Sequence, residues 1–218
     1  MKDQQVTLLF RNGTHITLGQ CSIDAGDVVW IRRPSLPVHH PNVADADKLF
    51  AQGEYKWHFS SLMYLLEQLP VRCINPYSAS RIINNKAVQL HVAALSGLLT
   101  PETLMTNSPA EIRAFLGDAT RRAVCKSFFP HIWRKENGEG LAVTETFALS
   151  ADNLPQDEVL TYAPAVYQEM VAKAFDVRMV LLGTTVYSFS LHTQKYALDW
   201  RQEIARGTVV VEERRQPK

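Results

Sequence analysis

The sequence predicts a mixed chain, α/β or α+β, organised as two lobes, on three observations. Segments with strand alternation and segments with three-and-four helical spacing alternate over the first half of the chain. Antiparallel hairpin signatures dominate the second half. At 218 residues, with 46% hydrophobic and 21% charged composition, the chain can bury roughly 70% of its unfolded surface without disulfides or a structural metal. That composition excludes a disordered chain.

The elements follow in order. Val6 to Phe10 and Thr14 to Leu18 read as strands joined at Arg11-Asn12-Gly13, because Asn-Gly tolerates the positive φ of a tight hairpin turn. Val28 to Ile31 reads as a short buried strand, and the prolines between Pro34 and Pro41 mark a loop. Phe59, Leu62, Met63, Leu65, Leu66 and Leu69 lie at helical spacing, which predicts a helix from Trp57 to Leu69 ended by Pro70. A strand is expected at Val71 to Ile74, then one helix from Ser80 to Leu95 with Gly97 as its C-terminal cap.

Thr103 to Met105 is expected as a strand. Ser108-Pro109-Ala110-Glu111 opens a helix, with a capping serine and a proline in its first turn. Arg122 to Phe129 is a strand carrying Lys126. Ile132 to Lys135 and Leu141 to Leu149 are expected to pair around Asn137-Gly138-Glu139-Gly140. After a polar link, Ser150 to Glu158, come a strand at Ala165 to Met170 and a hairpin of Val177 to Leu182 with Thr185 to Leu191. One apolar triplet, Val209 to Val211, precedes a polar tail.

Several function classes lose support at once. Cys21, Cys73 and Cys125 are widely spaced and lack C-x-x-C or Cys/His neighbours, so they read as reduced core cysteines of a cytoplasmic protein. The longest apolar runs are about five residues, far short of a membrane span, and no signal peptide opens the chain. With 23 basic and 22 acidic residues there is no global field for nucleic acid, and the doublets Arg32-Arg33, Arg121-Arg122 and Arg214-Arg215 read as solvated edges. His39-His40 on an extended segment would point to opposite sides, which disfavours a metal pair. No G-x-G-x-x-G, P-loop, G-x-S-x-G or H-E-x-x-H pattern occurs.

What remains are cations in unusual settings. Lys86 follows Asn84-Asn85 near a helix, and Lys126 sits inside Ala123-Val124-Cys125-Lys126-Ser127-Phe128-Phe129. A strand lysine among apolar neighbours must either reach solvent or meet an anion. Asp176 and Arg178 fall on one strand face, where they form either an ion pair or two arms of a ligand site.

Read together, N-K-x-x-Q-L from Asn85, G-L-x-x-P-E-T-L from Gly97, V-C-K from Val124 and Y-Q-E-M-V-x-K-x-F-D-V-R-M-V-L-L-G from Tyr167 resemble the ATP-grasp superfamily. The resemblance is strongest to the microviridin-type (graspetide) peptide maturases, carboxylate-amine ligases, and more distant to the ribosomal-protein glutamate ligases. D-V-V-W-I-R-R at Asp27 to Arg33 resembles their pre-grasp domain. The resemblance implies an ATP-grasp fold incomplete at its C-terminus, with residues 1–75 a partial pre-grasp domain and 76–218 the ATP-grasp lobes.

It further implies that Lys86 and Lys126 reach the phosphates of ATP. By the same resemblance Gln168, Glu169, Met170 and Val171 form the adenine hinge and Asp176 lies near the ribose. Of the two catalytic arginines it implies, Arg178 would contact phosphate or the acyl-phosphate intermediate, and Arg201 of Asp199-Trp200-Arg201 would face the γ-phosphate. The implied reaction activates a peptide or protein carboxylate as an acyl phosphate, which an amine or hydroxyl then attacks. Charge rather than a protein nucleophile stabilises such a transition state.

Magnesium is expected for the family, but its aspartate and E-x-N strands have no match in this chain, where Glu212-Glu213 runs into Arg214-Arg215. Measurable but poor nucleotide affinity, and no turnover, are therefore expected of this chain alone. A partner chain or a homo-oligomer would be compatible with that. The alternative is a non-catalytic module of ATP-grasp descent that binds a peptide or partner, partly through the helix beginning near Trp57.

Overall fold

A computed structural model describes residues 6–32, 43–117, 120–128, 132–134, 141–193, 198, 207 and 209–214. The chain divides into two compact units, Met1–Leu95 and Ser96–Lys218. Among the described residues, no helix is long and apolar enough to cross a membrane.

The first unit opens with a meander of β1 (Val6–Phe10), β2 (Thr14–Leu18) and β3 (Cys21–Ile23). Asn12 at φ 53° and Gly13 at φ 136° make the expected turn. β4 (Val28–Trp30), α1 (Lys48–Leu66) and β5 (Arg72–Ile74) follow, with β4 and β5 paired in parallel. Leu62, Met63 and Leu66 of α1 pack with Ile16 and Ile31 into the core of this unit.

Three expectations need correction here. Val28 and Trp30 are 60% and 67% exposed, because a two-stranded pair packs only one face and Val29 takes the inward position. The helix starts at Lys48, not Trp57. Its first turns carry the exposed Leu49 and Phe50, so no buried face announces them. Cys21 is exposed on its short strand rather than buried, while Cys73 and Cys125 are partly buried.

The single helix expected over Ser80 to Leu95 is two, α2 (Tyr77–Ile83) and α3 (Lys86–Leu95). Asn85 interrupts it: its side-chain oxygen accepts from the N–H groups of Ala87 (3.0 Å) and Val88 (3.3 Å), which caps a new helix. Gly97, at φ 74°, turns the chain after α3 as expected.

Contacts with α1 keep α2 in the first unit. Tyr77 packs edge-on against Phe59 and Tyr64, and the Glu67 carboxylate accepts from the Ser78 N–H at 2.7 Å and its hydroxyl at 2.5 Å. Those two Ser78 bonds, the hydroxyl first, hold the Glu67 carboxyl below the usual glutamate range. The folded state thus favours the carboxylate, so this contribution is present above the unfolded pKa and is lost as pH falls through the lowered folded value. Melting of wild type is expected to lose more stability than Ser78→Ala on going from neutral pH to below about pH 4. Parallel losses would show that the Ser78 hydroxyl bond contributes nothing.

The second unit is built on a four-stranded antiparallel sheet. Its elements are β6 (Thr103–Thr106), α4 (Pro109–Leu116), β7 (Ala123–Lys126), β8 (Ile132–Arg134), β9 (Leu141–Val143), β10 (Phe147–Leu149), α5 (Asp157–Thr161) and β11 (Ala165–Glu169). Sheet order is β10-β7-β11-β6, while β8 and β9 pair by themselves. The expected long arm Leu141 to Leu149 is therefore split: its first part pairs β8 and its second part pairs β7. The expected polar link, Ser150 to Glu158, runs into the short helix α5, whose Leu160, just beyond it, is buried.

Strand alternation sorts the sheet into two faces. Leu104, Ala123, Cys125, Leu149, Ala165 and Tyr167 face a core with Ile112, Phe115 and Leu116 of α4 and Leu160 of α5. Ser108 caps α4 as expected, its hydroxyl accepting from the Glu111 N–H at 3.4 Å. Ser108→Ala is expected to cost about 1 kcal/mol in denaturant unfolding. A change below a few tenths would contradict the cap.

The remaining sheet is the meander β12 (Asp176–Leu182), β13 (Thr185–His192) and β14 (Val210–Arg214). Gly183 turns the expected hairpin at φ 61°. The sequence does not predict β14, since three apolar residues followed by charges make no strand pattern. Pairing with β13, from His192↔Val210 to Ser188↔Arg214, supplies it.

Candidate functional site

The face of the four-stranded sheet opposite α4 carries the polar chemistry. Thr103, Val124, Lys126, Val166 and Gln168 share it, as the cross-strand partners Thr103↔Gln168, Gln168↔Val124 and Val166↔Lys126 require. Val124 and Val166 are buried, so the polar groups stand on an apolar floor.

Lys126 Nζ donates to Gln168 Oε1 at 2.7 Å, and Gln168 Nε2 donates to Thr103 Oγ1 at 2.9 Å. Two residues singled out from sequence are thus brought together, although 42 positions separate them. Thr103, the threonine of the G-L-x-x-P-E-T-L motif, joins them without any sequence expectation of a role. Strand alternation with Met105 is the one signal that could have pointed to it.

At the end of β11 the backbone is tied on both sides. The Glu169 N–H donates to the Glu102 carbonyl at 2.9 Å, and the Met170 N–H donates to the Arg122 carbonyl at 3.1 Å. Glu102 and Arg121 form an ion pair, with the Arg121 guanidinium 4.4 Å from the Phe115 ring centroid. Val171, just beyond, is 57% exposed. The segment expected as a hinge is therefore a braced strand end opening onto solvent.

Asp176 and Arg178 share a face of β12, as alternation requires. Asp176 takes Lys173 as partner, at 2.7 Å, and Arg178 is exposed. Lys86 is the first residue of α3, in the first unit, and is partly buried. Arg201, with Asp199 and Trp200, lies outside the described residues, as do His39, His40 and the turn at 137–140. Burial raises the Cys125 thiol and, with Cys125 beside it, the Tyr167 phenol above their ordinary values. Both are neutral core groups at physiological pH, not nucleophiles.

This fold has known counterparts among solved structures. A RiPP-associated ATP-grasp ligase from Chryseobacterium gregarium, in complex with ADP and a leader and core peptide, superposes at TM-score 0.79 with 23% identity. The match covers 98% of this chain and 66% of that one. The chain has the fold of an ATP-grasp ligase. Macrocyclase MdnC from Microcystis aeruginosa MRC, bound with precursor peptide MdnA, superposes at TM-score 0.78 with 22% identity, over 98% of this chain and 67% of that one. Macrocyclase MdnB of the same organism superposes at 0.66, with 22% identity, over 96% and 73%.

The chain thus spans about two thirds of the length of the first two ATP-grasp structures. No family model and no curated protein matches it. The fold expected from the motifs is the fold observed, and a lysine ammonium over an apolar floor can meet an anion. Among the described residues no group of three or more His, Cys, Asp or Glu side chains gathers to hold a metal ion.

Proposed function

We propose that this chain is the nucleotide-binding body of an ATP-dependent ligase that activates a carboxylate of a peptide or protein substrate. The observation that carries the reading is the Lys126–Gln168 pair at the end of two adjacent strands, within an ATP-grasp fold. In this reading Lys126 contacts phosphate, and Lys86 at the head of α3 does the same. A lysine in a first helical turn opposes the helix dipole, and a phosphate there relieves both.

Residues 168–171 form the adenine hinge. Since the N–H groups of Glu169 and Met170 already hold the strand to its neighbours, a base edge falls to Val171 and to carbonyls. Asp176 sits toward the ribose, and Arg178 and Arg201 toward the phosphates. The functional division is residues 1–75 as pre-grasp and 76–218 as ATP-grasp. ATP supplies the phosphoryl group that makes the carboxylate an acyl phosphate for attack by an amine or hydroxyl.

The peptide substrate is inferred by analogy with the ATP-grasp ligase solved with a leader and core peptide and the macrocyclase solved with a precursor peptide. A second reading, a peptide- or partner-binding module, is favoured by Leu49, Phe50 and Trp57 of α1, which are 82%, 70% and 73% exposed.

Thermal denaturation with ATP, AMP and adenosine tests the reading. Since a ligand that binds only the folded state raises its melting temperature, ATP is expected to raise it most and adenosine least. No shift at about millimolar ATP, or equal shifts for all three, would overturn the assignment of Lys126 to phosphate.

A further inference from the structure

Lys126 does not stand alone on its sheet face. The Thr103 hydroxyl donates to the Pro101 carbonyl at 2.9 Å, which leaves Oγ1 as an acceptor for Gln168 Nε2 at 2.9 Å. Gln168 Oε1 then faces the Lys126 ammonium at 2.7 Å. An ammonium can only donate, so the amide has one workable orientation, nitrogen toward Thr103 and oxygen toward Lys126. The chain from lysine to Pro101 is consistent in donor and acceptor at every link, and each bond polarises the next.

We infer that Thr103 and the Gln168 side chain are positioning residues that aim Lys126 at the phosphates. The inference rests on the proposed nucleotide reading. It gives Gln168 a side-chain task distinct from the backbone task of the hinge, and it brings in a residue of β6 that has no task otherwise. A neutral amide holds the ammonium without neutralising it, whereas a carboxylate in its place would compete with phosphate. Val124 and Val166 bury the floor beneath this relay, which strengthens it relative to water.

The test is titration of wild type, Thr103→Val, Thr103→Ser and Gln168→Glu with ATP and with adenosine, each variant checked for wild-type melting. Thr103→Val keeps the shape but removes the hydroxyl. It is expected to weaken ATP about five- to tenfold and leave adenosine unchanged, with Thr103→Ser restoring affinity to within about twofold. Gln168→Glu is expected to weaken ATP at least as much, and decides the matter if Thr103→Val fails to fold. In a Lys126→Met background, Thr103→Val should have no further effect.

Unchanged ATP affinity in Thr103→Val and Gln168→Glu, or equal losses of ATP and adenosine in Thr103→Val, would overturn the inference while wild-type binding stands. Wild type that takes up no ATP would overturn the nucleotide reading itself, and the inference with it.

Discussion

Lys126→Met is expected to lower the affinity for ATP by about ten- to a hundredfold while leaving that for adenosine unchanged. Methionine keeps most of the stem that lies beside Val124 and Val166 but removes the ammonium, so the loss reports charge rather than packing. The substitution removes a charge-assisted bond on an apolar floor, where such bonds exceed neutral ones in strength. Calorimetric titration of both ligands measures it. Equal weakening of the two would trace the effect to the fold, and no weakening would remove Lys126 from the phosphate site.

The second large effect is on stability. Ile112 of α4 is fully buried in the cluster with Phe115, Leu116, Ala123, Leu160 and Tyr167 that backs the site sheet. Ile112→Ala is expected to cost about 2–5 kcal/mol, because the lost transfer energy adds to that of an incompletely filled cavity. Denaturant unfolding should show a lower midpoint at unchanged slope. Leu99→Ala, at a fully exposed position, is expected to change nothing measurable. A loss at Ile112 no larger than at Leu99 would mean that α4 does not pack on the sheet as described.

Much of this architecture is legible where local chemistry decides it. Asn12-Gly13 and Gly183 place two hairpins, Ser108-Pro109 places the start of α4, and alternation places the strands on which Lys126 and Gln168 sit. The order of several motifs, rather than any one of them, points to the ATP-grasp fold. Reading fails where tertiary context overrides the local signal. Asn85 is an acceptable interior helix residue by spacing, yet its side chain caps a second helix. Lys48 to Lys56 show no buried face but belong to α1. Val210 to Arg214 become a strand only because β13 offers an edge.

The site divides the same way. Lys126 is conspicuous as a cation in an apolar strand. Its tie to Gln168 depends on the register between β7 and β11, and the part played by Thr103 on β6 beside β11, neither of which a linear pattern reveals. Asp176 is open, by sequence, between two partners, Arg178 on its own strand and a ligand. It takes a third, Lys173, three residues away.

Photolabelling with an azido-adenine analogue of ATP, followed by peptide mapping, tests the central claim most directly. The expected result is label on the peptide that contains Gln168 to Val171, displaced by excess ATP. Label confined to other segments, or label that ATP does not displace, would contradict the assignment of this strand end to adenine.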